Sequence, residues 1–229
     1  MTSLVTMECE KDKKNKKDKE DNVVIFIHGF GKSSSDWNVS DYGKVISIEM
    51  GVKQYTNTVL VNLKDDDYLT HIQDTCDKIV CVNNLVTFKH VHVVAHSYGC
   101  FYAMVMAEKY KTLVKSLVLI ELTVKTHSYK LYLQSQHDII SQAKVNNYDT
   151  LPDGSKIPNK TVISTHIAIN SKDTNIDYMT TQFQRLEYYK MWTNNNTHNE
   201  LVLHPCKSHM LHYHVPHKII SCIIRYVCL

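Results

Sequence analysis

Val91-His92-Val93-Val94-Ala95-His96-Ser97-Tyr98-Gly99 is the stretch on which the fold turns. Val91 to Ala95 is a valine-dominated run of the kind a strand buried on both faces requires. Directly after Gly99, the apolar residues Phe101, Met104 and Val105 recur at helical steps, and Ala103 and Ala107 permit close packing on the strand. A strand therefore passes straight into a helix with a serine at the corner. The flanking positions two residues away, Ala95 and Gly99, are both small. The need is steric: a serine held in a tight, strained turn stands clear of the sheet, and a large side chain at either flank would strike the neighbouring strand or helix.

Working outward, short β-branched runs alternate with segments of helical period, which predicts an α/β protein with a mostly parallel sheet covered by helices on both faces. Strands are predicted at Val23–Ile27, Thr58–Leu63, Val91–Ala95, Val114–Ile120, Val162–Ile169 and Leu201–His204, about six in all. Helical stripes run through Leu69, Ile72, Cys76, Ile79 and Val80, and through Ile176, Met179, Phe183 and Leu186. A last helix starts at Pro216, a good first-turn residue, and carries Ile219, Ile220, Ile223, Ile224 and Val227 on one face. The segment Val124 to Lys160 breaks the alternation. It reads as one amphipathic helix (Tyr129, Tyr132, Leu133, Gln136, Ile139, Ile140) followed by a polar loop with a Pro152-Asp153-Gly154 turn, placed where a small cap could cover a site.

The remaining composition narrows the function classes. Glu8 to Asn22 pairs six lysines with six acids, so residues 1–22 are predicted to be a solvated, disordered tail and 23–229 a single domain. A charge-balanced tail and a net charge of +3 over 229 residues supply neither a nucleic-acid arm nor a polybasic membrane clamp. No stretch reaches the roughly 20 apolar residues of a membrane span, and the first residues lack the pattern of a signal peptide. A cytoplasmic protein is the resulting expectation. Seven cysteines without a Cys-x-x-Cys pair indicate reduced thiols rather than a disulfide framework. His204, His209, His212, His214 and His217 cluster near the C-terminus, but lack a His-Glu-x-x-His pattern, so no metal or other cofactor is expected.

Three of the six glycines, Gly29, Gly31 and Gly99, fall just after two strand candidates. The first is the run Val23-Val24-Ile25-Phe26-Ile27 ending in His28-Gly29-Phe30-Gly31, a loop able to turn a backbone N–H toward a developing oxyanion. The second, Ala95-His96-Ser97-Tyr98-Gly99, is the Gly-x-Ser-x-Gly nucleophile elbow with alanine in its first glycine position.

On these two motifs, the sequence from Val23 to Val227 resembles the α/β-hydrolase superfamily, in its serine-nucleophile, esterase- and lipase-like branch. Ser208-His209-Met210-Leu211-His212-Tyr213-His214-Val215-Pro216 is similar to that family's catalytic-histidine segment, in which a histidine after the last strand precedes the proline opening the final helix. The resemblance implies Ser97 as nucleophile, His209 as general base and Asp173 as acid, since Asp173 follows the penultimate strand in the family's order. Asp177 and Glu121 are the alternatives for the acid, Glu121 because some members draw it from the end of the preceding strand. The Phe30 and Tyr98 backbone N–H groups would form the oxyanion hole. The substrate so implied is a small acyl ester, thioester or lipid; a serine at the elbow disfavours the epoxide hydrolases and haloalkane dehalogenases of this fold, which use aspartate there. Two departures are Asn170, where a glycine is usual, and a sheet edge trimmed ahead of Val23. The competing reading is a silent hydrolase-fold protein that binds a ligand or partner.

Overall fold

The structure is a computed structural model that describes residues 20–37, 57–122, 127–135, 139–152, 157, 160–166, 186–190, 192, 198–205 and 209–227. Among the described residues six strands form one sheet: β1 (Glu20–Ile27), β2 (Asn57–Val61), β3 (Phe88–His96), β4 (Val114–Ile120), β5 (Lys160–His166) and β6 (Glu200–His204). Their order is β2-β1-β3-β4-β5-β6 and every pairing is parallel. The chain leaves β1 toward β2 and returns on the other side as β3, so the strand order reverses between β1 and β3. In an open α/β sheet, that reversal opens a crevice at the carboxyl ends of the strands.

Alternation along β1 shows why both faces must be covered. Val23, Ile25 and Ile27 join one core cluster, while Val24 and Phe26 join the other. The first cluster holds helix α2 (Ile72–Val82) through Ile72, Cys76, Ile79 and Val80, beside the short helix α1 (Asp65–Leu69). It also holds α3 (Gly99–Lys109), whose residues from Gly99 to Ala107 are all buried because the helix lies between sheet and α2. The second cluster is filled by α7 (Pro216–Val227), which lays Ile219, Ile220, Cys222 and Ile223 on β4 and β5. Each isoleucine so buried stabilises the domain by about 1.5–3 kcal/mol.

β4 matches its predicted bounds, and the other five strands match in place with their described ends differing by up to three residues; residues 167–169, predicted to continue β5, lie outside the described residues. β1 begins at Glu20, within the stretch read as tail: Glu20 pairs with Phe88 and Asn22 with His90, since a polar end costs a strand little when a neighbour supplies its backbone hydrogen bonds. Residues 1–19 lie outside the described residues. The cap segment forms two helices, α4 (His127–Ser135) and α5 (Ile139–Tyr148), where one helix and a loop were predicted. The polar run Asn146-Asn147-Tyr148 is helical because Asn147 and Tyr148 are buried and α5 packs on α1 as well as on α4; tertiary burial overrides weak propensity. Most of the Pro152-Asp153-Gly154 turn lies outside the described residues, as do Ile176, Met179 and Phe183; Leu186 and Tyr188 pack against the first cluster and Tyr189 and Trp192 are buried within it. No described helix is long and apolar enough to cross a membrane.

Gly99 marks a close approach of α3 to the end of β1. A Cβ built there would stand 2.5 Å from the His28 carbonyl oxygen and 2.7 Å from that of Ile27. Both obstacles are backbone, so neither can turn aside. Gly99→Ala is therefore expected to destabilise the fold by about 1–3 kcal/mol, read as a lower urea midpoint at unchanged m-value.

Candidate active site

Three strand ends meet the crevice at nearly the same height. Ile27 pairs with Ala95, and His96 with Ile120. The residues that follow, the His28–Gly31 loop, Ser97 and Glu121, are therefore neighbours in space. Ser97 has φ 53° and Glu121 φ 53°, left-handed conformations that a side chain adopts only under constraint. The constraint is visible in the backbone: Ser97 N–H donates to the Ile120 carbonyl at 2.8 Å, and Glu121 N–H donates to the Ser164 carbonyl at 2.8 Å. Each residue is thus tied to the next strand while its side chain turns upward.

Ser97 Oγ lies 2.9 Å from His209 Nε2. His209 stands just ahead of the one-turn helix α6 (Leu211–His214), and its side chain is 47% exposed. On the other side of the ring, Nδ1 is 3.5 Å from Glu121 Oε2, whose side chain is fully buried. Thr165 Oγ donates to the same Glu121 oxygen at 3.3 Å. If Ser97 donates to Nε2, the ring proton sits on Nδ1 and faces the carboxylate. A hydroxyl, an imidazole and a buried carboxylate in this sequence can move a proton from the serine and stabilise the imidazolium that results.

The loops around this chain are set by histidines that are not part of it. His28 is fully buried; its Nε2 accepts the Leu63 N–H at 2.9 Å, which puts its proton on Nδ1, 2.8 Å from the Gly29 carbonyl. Burial lowers its pKa. Gly31 adopts φ 66°, which only glycine takes without cost, and the turn it makes sets Phe30 at the mouth of the site. The Phe30 ring meets Tyr68 and Tyr98 edge-on, and the Lys144 ammonium of α5 sits 3.3 Å from the centre of the Phe30 ring and 5.2 Å from that of Tyr98. Helix α5 thus reaches the two residues whose N–H groups were expected to bind an oxyanion, and brings a cation with it.

Asp173 and Asp177 lie outside the described residues. Ser97 and His209 are brought together as the sequence indicated, and the described carboxylate that joins them is Glu121, the last of the three considered. Its signal was a single acid directly after the apolar strand Leu117-Val118-Leu119-Ile120; an acid at the carboxyl end of a buried strand has no structural reason to be buried unless something pairs with it.

Residues 29–144, just over half the chain, match the family described as alpha/beta hydrolase fold. The chain belongs to the α/β-hydrolase family. BODYGUARD 2 of Arabidopsis thaliana, a probable lysophospholipase, is 32% identical over 127 residues, covering 50% of this α/β-hydrolase and 25% of the relative. BODYGUARD 4 of the same plant, also a probable lysophospholipase, is 33% identical over 108 residues, 42% of this chain and 24% of its own. The match spans about a quarter of the length of these relatives. Among solved structures, a probable hydrolytic enzyme from Pseudomonas aeruginosa PAO1 superposes with a TM-score of 0.59 at 12% identity, covering 91% of this chain and 86% of the other. A marine microorganism esterase gives 0.58 at 15% identity, covering 90% and 95%. At such identities the likeness is one of fold.

Several buried imidazoles of this α/β-hydrolase make acid a specific stress. Burial pushes His92 down to about 4, His96 to about 3 and His212 to about 4. The unfolded chain takes up protons near the ordinary value of 6.5 while the folded chain resists. Their contribution to stability is complete above that value and is lost as pH falls from it toward 4, each group adding about 1.4 kcal/mol per pH unit to the slope. Urea unfolding at about pH 7.5 and about pH 5 is expected to show a markedly lower midpoint in acid.

Proposed function

We propose that this protein is a serine hydrolase that cleaves an acyl ester, thioester or lipid acyl bond through Ser97, His209 and Glu121. The observation that carries the reading is the continuous chain from Ser97 Oγ, 2.9 Å from His209 Nε2, through the same ring to the fully buried Glu121 carboxylate, 3.5 Å from Nδ1. The family membership and the relatives' naming as probable lysophospholipases support the substrate class.

In this mechanism, Ser97 Oγ attacks the acyl carbonyl carbon as its proton passes to His209 Nε2. The carbonyl π pair moves onto oxygen, where the backbone N–H groups of Phe30 and Tyr98 receive it. Collapse of the tetrahedral intermediate breaks the bond to the leaving group, which takes the proton from His209 and departs as an alcohol or thiol. Water then attacks the acyl-enzyme, giving one proton to His209, and collapse returns that proton to Ser97 as the carboxylic acid leaves. The Glu121 carboxylate orients the ring and stabilises its charged form. Burial favours this role, because water does not screen its attraction to the imidazolium.

The chain mounts this chemistry at an aromatic mouth. Phe30 is 38% exposed and Tyr68 and Tyr98 lie behind it, a surface suited to an apolar acyl group.

The parent protein is expected to react with a fluorophosphonate at one site, giving a single mass increment that Ser97→Ala abolishes. A folded parent that takes no label would rule out an activated serine. To assign the acid, Glu121→Gln should lower kcat by about a hundred-fold or more while KM changes little, whereas Asp173→Asn should stay within a few-fold of the parent. The reverse pattern in p-nitrophenyl ester hydrolysis would move the acid to Asp173.

A further inference from the structure

Beside the Ser97–His209–Glu121 chain lies an imidazole that no proton transfer uses. His96 is the last residue of β3 and is 2% exposed. Its Nε2 is 2.9 Å from the carbonyl oxygen of His209. A carbonyl only accepts, so Nε2 carries the ring proton and donates it, and Nδ1 of the neutral ring carries a lone pair. Among the described residues Nδ1 has no hydrogen-bond partner, and it faces Gly29, where an added Cβ would stand 2.9 Å away. One buried ring thus touches the loop after β1 on one edge and the backbone of His209 on the other. His212 packs against the same ring with centroids 4.5 Å apart, and Trp37 packs against His212 at 4.8 Å.

His209 needs such a support. Its side chain is 47% exposed, so packing alone does not hold the ring, and it sits in a bend outside any strand. Where the backbone of His209 stands therefore decides where Nε2 stands relative to Ser97 Oγ. A misplacement of about 1 Å in such a pair costs on the order of a hundred-fold in rate.

We propose that His96 is a positioning residue for the general base: the hydrogen bond from its Nε2–H to the His209 carbonyl locks the base loop against the Gly29 loop and so sets the Ser97–His209 distance. This inference rests on the hydrolase reading above. The titratable groups facing His96 are His209, His212 and Glu121, and Lys32 faces His212. Burial, reinforced by His212, pushes the His96 ring down to about 3, so the support stays uncharged near neutral pH. A neutral donor also avoids placing a fixed cation beside the imidazolium that forms during turnover, which a lysine or arginine in this position would do.

Two variants isolate the hydrogen bond. His96→Gln places an amide N–H at a reach close to that of Nε2; His96→Met has the same chain length and no donor. His96→Met is expected to lose about ten- to a hundred-fold in kcat for p-nitrophenyl ester hydrolysis, with KM within about two-fold, and to slow fluorophosphonate labelling by the same factor. His96→Gln should recover most of both. Equal kcat in the two variants would overturn the proposal. Nitrogen-15 NMR of the parent is the second measurement and needs no variant to fold. It should find His96 protonated on Nε2 alone from neutral pH to about pH 4; a proton on Nδ1, or a charged ring at about pH 6, would overturn the proposal. A parent that takes no fluorophosphonate label, yet shows the Nε2 tautomer, would instead defeat the hydrolase reading and leave the His96–His209 contact as an observed structural tie.

Discussion

The parallel register of β3 between β1 and β4 is the constraint on which the rest depends. Because Ile27 is level with Ala95 and His96 with Ile120, the chain must turn at three adjacent points on one edge of the sheet. Each turn solves the same problem in a different way. After β1 the chain uses glycine at Gly29 and Gly31. After β3 and β4 it forces Ser97 and Glu121 into left-handed backbone. Such strain persists only where surrounding contacts over-determine it, and here the donated bonds to Ile120 and Ser164 do so. A serine and a carboxylate are thereby held upward without relying on their own rotamers.

Packing explains why the arrangement is stiff. α3 is buried almost all round, and its first residue lies against the His28 and Ile27 carbonyls with no room for a methyl group. The elbow cannot drift from β1 without the helix moving as a body. On the other face, α7 covers β4 and β5 and holds the sheet from behind, with α6 and His209 directly preceding it. His209 therefore arrives from the far end of the chain on a segment anchored by isoleucines, while Glu121 and Ser97 arrive from neighbouring strands. Leu122, just after Glu121, is buried and accepts a hydrogen bond from the Tyr189 hydroxyl, which holds the chain as it leaves the site.

Histidine does much of the polar work in this protein, and burial decides which form it takes. His28 and His96 each use one ring nitrogen to tie a loop to a neighbour, as neutral rings. His92 makes a comparable tie to Ser116 across β3 and β4, at 2.8 Å. A histidine–serine pair by itself is therefore no sign of catalysis: His92 and Ser116 are both buried within the sheet, whereas Ser97 and His209 stand at its open edge. Position on the strand, more than residue type, separates the two pairs.

Much of the design was legible from residues in order along the chain. Six β-branched runs spaced by helical stripes define a parallel sheet because the periods are local, and Ala95-His96-Ser97-Tyr98-Gly99 marks the corner because only small flanks fit there. His209 could be picked out by its place before Pro216. The two helices α4 and α5 and the start of β1 at Glu20 were not legible, since both depend on burial against distant elements. The partner of His209 was likewise beyond local reading: Glu121 follows a buried strand, and nothing in its neighbourhood says that it faces an imidazole many residues away. The sequence by itself determined the sheet, the elbow and the pairing of serine with histidine. Tertiary structure alone brought Glu121 to Nδ1 and His96 to the His209 carbonyl, because contacts between strand ends and a C-terminal loop are set by register and helix packing, which no local pattern encodes.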